Sequence, residues 1–97
     1  MGNNNPDSGG RSRGKEIIWA GSSQEDLRRL PREARRDIGY NLRLIQLGEM
    51  PKDWRTMNTV GREVYEIRVH DPDEYRAFYI ARFPEGIYVL HVFSKKT

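Results

Sequence analysis

The residues able to do chemistry cluster in the C-terminal third: Glu66, Arg68 and His70, then Tyr75 and Arg76, then His91, with Lys95-Lys96 near the end. Arginine and lysine in this density suit a phosphate. A guanidinium stays charged and its planar fork matches phosphate oxygens, and an ammonium supplies a compact point charge. Histidine exchanges protons near neutral pH, so His70 and His91 are candidates for acid–base work, with Tyr75 a third. Spacing leaves a second reading open, in which Arg68 and Arg76 are surface residues paired with Asp71, Asp73 or Glu74. His91 likewise has a structural reading as a packed histidine of a sheet.

Other chemistries lack their residues. There are no cysteines, which removes disulfides, thiolate nucleophiles and cysteine-based zinc sites. The two histidines stand on different predicted strands without metal-ligand spacing, so neither metal nor cofactor is expected. Gly9-Gly10 lacks the lysine and hydroxyl pattern of a phosphate loop. Ser94 and His91 lie three residues apart on one predicted strand, and opposite parity sends them to opposite faces.

The elements that must position these groups show in the hydrophobic periodicity. Glu16–Trp19 is a β-favouring run and the first expected strand. Ser22 or Ser23 is placed to cap a helix whose first turn holds Glu25 and Asp26. Leu27, Leu30, Ala34, Ile38, Leu42 and Ile45 recur every three or four residues, and Pro31 divides the stripe. This predicts helices over 23–30 and 31–47, ending near Gly48. Residues 48–63 read as a loop pinned by Trp54 and Met57.

From residue 64 the period becomes two, and strands are expected over 64–70, 75–83 and 87–93, with turns at 71–74 and 84–86. Tyr65, Ile67 and Val69 form the core-facing set of the first, leaving Glu66, Arg68 and His70 on the other face. Arg76 and Arg82 share parity with Phe78 and Ile80. Neighbouring strands thus bring Arg68, Arg76 and the Lys95-Lys96 pair toward one groove. The fold class is α+β, a helical hairpin on a twisted antiparallel sheet in the order β-α-α-β-β-β.

Residues 1–14 hold no large apolar side chain beyond Met1, too little to offset ordering entropy, and are expected to be a disordered extension before a single domain over 15–97. The net charge of +3 and a pI near 9.4 suit an anionic partner, nucleic acid or acidic protein, and equally an ordinary soluble protein with extra arginine. No apolar run approaches the ~20 residues that span a bilayer, and the polar N-terminus shows no signal peptide, so a cytoplasmic location without membrane contact is expected. Arg28, Arg29, Arg32, Arg35, Arg36 and Arg43 line the outer helix surface, most simply a solvated face, with contact to nucleic-acid phosphates as the second reading.

One ordered series then stands out: Arg55-x-Met57, Gly61, Tyr65-x-Ile67-Arg68, Tyr75-Arg76-x-x-Tyr79, and an apolar strand ending in Lys95-Lys96. It resembles the RelE/ParE toxin superfamily. Trp19-x-x-Ser22, Asp26-Leu27, Leu30-Pro31, Ala34-Arg35 and the run Val89–Thr97 are similar to its phage-derived, HigB-like branch. The resemblance spans about residues 15–97. It implies a toxin of a type II toxin–antitoxin system, a metal-independent endoribonuclease that cuts mRNA on the ribosome. It also implies a HigA-like antitoxin with a helix-turn-helix as partner. Carried over by motif, Arg68, Arg76, Lys95, Lys96 and His91 are the expected catalytic set, and Lys52, Arg55 and Tyr75 the expected RNA contacts. Two departures accompany it: Glu66 stands where the RelE branch has a basic residue, and the sequence stops at Thr97 where many relatives continue into a helix. A gyrase poison without catalysis and a degenerate binding module are the alternative functions.

Overall fold

The computed structural model describes residues 14–70 and 72–95. Strand β1 (Glu16–Trp19) leads into helices α1 (Ser23–Arg28) and α2 (Arg32–Gln46), followed by β2 (Trp54–Thr56), β3 (Tyr65–His70), β4 (Glu74–Ile80) and β5 (Gly86–Lys95). The expected strand–helix–helix–three-strand order and the α+β class hold, with β2 as an addition. All five strands form one sheet, ordered β1-β5-β4-β3-β2. Pairing is antiparallel except between β1 and β5. The disorder expected over residues 1–14 concerns, apart from Gly14, positions outside the described residues, and so do Asp71, Lys96 and Thr97.

The predicted stripe builds the core. Leu27 of α1 and Ala34, Ile38, Leu42 and Ile45 of α2 are buried against Ile67, Val69, Tyr75, Ala77, Tyr79, Ile87, Val89 and Val92 of the sheet. Both helices therefore cover one face. Pro31 precedes the first residue of α2 with φ of −54°, a conformation its ring already favours. The helix ends at Gln46, and Gly48 just beyond it has a φ of 88° that suits a residue without Cβ, while its N–H donates to the Ile45 carbonyl. Ser22 stands at the N-cap of α1, as expected, but no side-chain cap hydrogen bond forms. Ser22 Oγ bonds the Asp26 carboxylate at 2.8 Å, and buried Ser23 donates to the Val89 carbonyl at 3.0 Å, fastening α1 to β5.

Two local irregularities decide what the uncovered face presents. The segment read as a loop contains β2, which pairs with Tyr65–Ile67 and sets Arg55 opposite Glu66. In β5 the register slips at Phe78/Tyr79: Phe78 pairs with His91 but Tyr79 with Val89, so Leu90 is an extra residue. Such a bulge inverts the alternation along one strand. Ile87 and Val89 point to the helices before it, and Val92 after it. His91, Phe93 and Lys95 consequently share the uncovered face with Arg76 and Phe78.

Candidate functional site

The uncovered face of β3, β4 and β5 gathers the charged residues. Arg68 pairs in register with Arg76, Arg76 with Phe93, and Glu74 with both His70 and Lys95. At the centre lies an ion-pair network. Arg76 and Glu66 are each only 4% exposed, with Arg76 Nη1 donating to Glu66 Oε1 at 3.1 Å. The second terminal nitrogen of Arg76 donates to Glu74. Burial works against the Arg76 charge, but the hydrogen bonds to Glu74 and Glu66 outweigh it and hold its pKa above the ordinary range. The hydrogen bond from Arg76, more than its charge, holds the Glu74 carboxyl below the usual carboxylate value.

The edge of β3 is more open. Past Ile67 it has no strand partner on the β2 side, and Asp53 takes that place: its carbonyl accepts from the Arg68 N–H at 3.0 Å. The Asp53 carboxylate lies 3.9 Å from Arg68 Nη1 and 3.4 Å from His70 Nε2. His70 Nδ1 is 3.5 Å from Glu74, so one half-exposed imidazole stands between two carboxylates. The Nε–H groups of Arg68 and Arg76 are buried without a hydrogen-bond partner among the described residues. A buried donor left unmet is uncommon and marks a place where an acceptor would be gained.

A polar cleft of about 310 Å³ opens beside this edge, lined by Asp37, Tyr40, Asn41, Lys52, Arg68, Val69 and His70. Asn41 frames it. Its amide donates to the Asp37 carbonyl and its oxygen accepts the Lys52 N–H, both at 2.8 Å, tying the Lys52–Asp53 loop to α2. Lys52 Nζ sits over the Tyr40 ring, 5.3 Å from its centre. A second cavity of about 260 Å³, lined by Ile45, Met50, Tyr65 and Tyr79 among others, is mainly apolar and lacks the arginines.

Residues 25–97 match the family described as phage derived protein Gp49-like (DUF891). The chain belongs to this family. It is a RelE-like toxin family of type II toxin–antitoxin systems, which implies an antitoxin as partner. No curated protein matches the sequence. No helix among the described residues is long and apolar enough to cross a membrane.

Within this family fold, the expected site residues separate into groups. Arg68, Arg76, His91 and Lys95 do share one face. Lys52 lines the cleft next to Arg68, and Arg55 is exposed opposite Glu66 without an ion-pair partner among the described residues. Lys96 falls outside the described residues. Two placements are corrected. Tyr75, expected to contact RNA, is 5% exposed and points into the helix-covered core, because it alternates with Arg76. Arg76, expected to face a groove with Arg68, is buried because carboxylates on its own strand and the next one close over it. Its pairing with Glu74 matches the ion-pair reading that spacing had left open. Tyr40, Asn41 and Asp53 were not singled out from sequence. Tyr40 sits at an outward helix position and is half exposed, which is the one signal that sets it apart from the core stripe.

Proposed function

We propose that this toxin is a ribosome-dependent endoribonuclease that cleaves mRNA at the uncovered sheet face. The observation carrying the reading is the convergence of Arg68, Arg76 and Lys95 from three adjacent strands onto that face, within a RelE-like toxin family. In the reaction the ribose 2′-oxygen bonds to phosphorus and the bond to the 5′-oxygen breaks. The products are a 2′,3′-cyclic phosphate and a 5′-hydroxyl end. The proton leaving the 2′-hydroxyl goes to a base, and a proton is returned to the departing 5′-oxygen. Negative charge grows on the phosphate oxygens meanwhile, and fixed cations facing it lower the barrier.

Arg68 and Lys95 carry that role in this account. Arg68 is 28% exposed in its side chain, holds Asp53 only at 3.9 Å and keeps an unmet Nε–H. Lys95 is exposed and unpaired among the described residues. Arg76 acts as a positioning residue, its fork consumed by Glu66 and Glu74. His70 is the proton carrier best supported by geometry, two residues from Arg68 on the same face and flanked by Asp53 and Glu74. The engaged state of Arg76 also favours a second reading, in which the face binds RNA without cutting it. The test is an mRNA-programmed ribosome assay run with wild type, in the presence and absence of a chelator, with gyrase supercoiling as a control. Site-specific cuts that survive chelation are expected. Intact mRNA would overturn the nuclease reading, and gyrase inhibition would replace it.

A further inference from the structure

The same face carries an aromatic cluster. His91 stacks on Phe93 with ring centres 4.9 Å apart and planes at 23°. Phe78 meets Phe93 edge-on at 5.3 Å and lies 6.2 Å from His91. The rings come from β4 and β5, on the side without helices. Phe78 and Phe93 are partly exposed and His91 is exposed. The bulge at Leu90 makes this possible, since unbroken alternation would have turned His91 and Phe93 toward the helices with Ile87 and Val89.

We propose that the His91, Phe93 and Phe78 cluster is a stacking platform for an unpaired RNA base. This rests on the RNA reading above and names how the substrate is held. His91 is then a binding residue rather than a proton carrier. Mutual packing restrains the rings, so less side-chain freedom remains to be lost when a base arrives. Every base offers a π face, so such a platform tolerates sequence. The exposed cations beside the cluster favour an anionic occupant. Lys95 follows Phe93 on the same face, and Arg68 and Arg55 stand on the strands beyond Arg76. The carboxylates Glu66 and Glu74 are held by Arg76, which leaves the cations Lys95 and Arg55 facing solvent. Aromatic rings interleaved with cations are the arrangement that single-stranded nucleic acid binds.

The test uses the full chain and an unstructured single-stranded RNA carrying one 2-aminopurine, whose fluorescence falls on stacking. Wild type is expected to quench it. His91→Ala is expected to abolish the quench and weaken binding roughly tenfold to a hundredfold, as loss of one stacked ring does. His91→Phe is expected to restore both and to keep cleavage near the wild-type rate, which a proton-transfer role for His91 would not allow. Phe93→Leu should weaken binding in the same direction, and Glu33→Gln on the helix side should not weaken it. Binding and quench by His91→Ala equal to wild type would overturn the platform even if the wild type cuts mRNA. So would a loss of antitoxin affinity in His91→Ala with RNA binding intact, because the face would then serve a protein partner. A wild type that binds and quenches but never cleaves would retire the nuclease reading and leave the platform standing.

Discussion

Replacing Arg76 by methionine keeps much of the side-chain length and removes the charge. The side chains of Arg76 and Glu66 are both 4% exposed, so the change leaves the buried Glu66 carboxylate without its ion-pair partner. Breaking a buried pair from one side costs about 3–5 kcal/mol. A domain of this size is stable by about 5–15 kcal/mol, so the variant should lose a large share of its stability. At roughly 4–8 °C per kcal/mol, the melting temperature should fall by more than about 10 °C. Replacing both partners, Arg76→Met with Glu66→Leu, removes the stranded charge and should recover most of the loss. Arg76→Lys keeps a cation but cannot reach both carboxylates with a planar fork, and should fall between. Urea unfolding followed by tryptophan fluorescence, with wild type, Arg76→Met, Glu66→Leu and the double variant arranged as a double-mutant cycle, reads the coupling directly. An unfolding midpoint for Arg76→Met equal to wild type would refute the positioning role. If cleavage alone were lost in that case, Arg76 would be a phosphate clamp after all.

Three further outcomes follow from the geometry. Asn41→Ala leaves the Lys52 N–H without its acceptor and should cost about 1–3 kcal/mol while raising hydrogen exchange across residues 50–53, measured by mass spectrometry. Glu63 holds φ of 60°, a region costly for a side chain with Cβ, so Glu63→Gly should raise the melting temperature even though the exposed contact to Arg82 is lost; an unchanged or lower value would show that this contact outweighs the strain. The Glu74 carboxyl titrates below its ordinary 4.5 in the folded chain, so its stabilising share is complete above that pH and disappears as pH falls through the lower folded value. Glu74→Gln should therefore flatten the acid limb of the stability curve and leave the neutral-to-alkaline part parallel to wild type.

Much of the fold was legible because the periodicities were clean. The stripe from Leu27 to Ile45 and the parity of Tyr65, Ile67 and Val69 mark the core faces without further help. β2 was not legible, because Trp54, Arg55 and Thr56 form three exposed residues with no apolar alternation, and only pairing to β3 makes them a strand. The bulge at Leu90 was hidden as well. The run from Ile87 to Phe93 is apolar at nearly every position, so sequence gives no sign of where alternation inverts. Face was thus readable for Arg68 and Arg76 while depth was not. Burial of Arg76 depends on Glu66 and Glu74 meeting it in space, and parity along one strand carries no such information. Tyr40 and Asp53 enter the site only through the packing of α2 and the Lys52–Asp53 loop against the edge of β3.

On the proposed reading, Arg68 and Lys95 act on a scissile phosphate at the uncovered face. Single-turnover cleavage of ribosome-bound mRNA by Arg68→Ala and Lys95→Ala tests it, with thermal unfolding measured on the same samples. A fall in rate on the order of 100-fold is expected for Arg68→Ala, with Lys95→Ala also slowed, and melting temperatures close to wild type because both side chains have solvent access. Cleavage at the wild-type rate by both variants would contradict it.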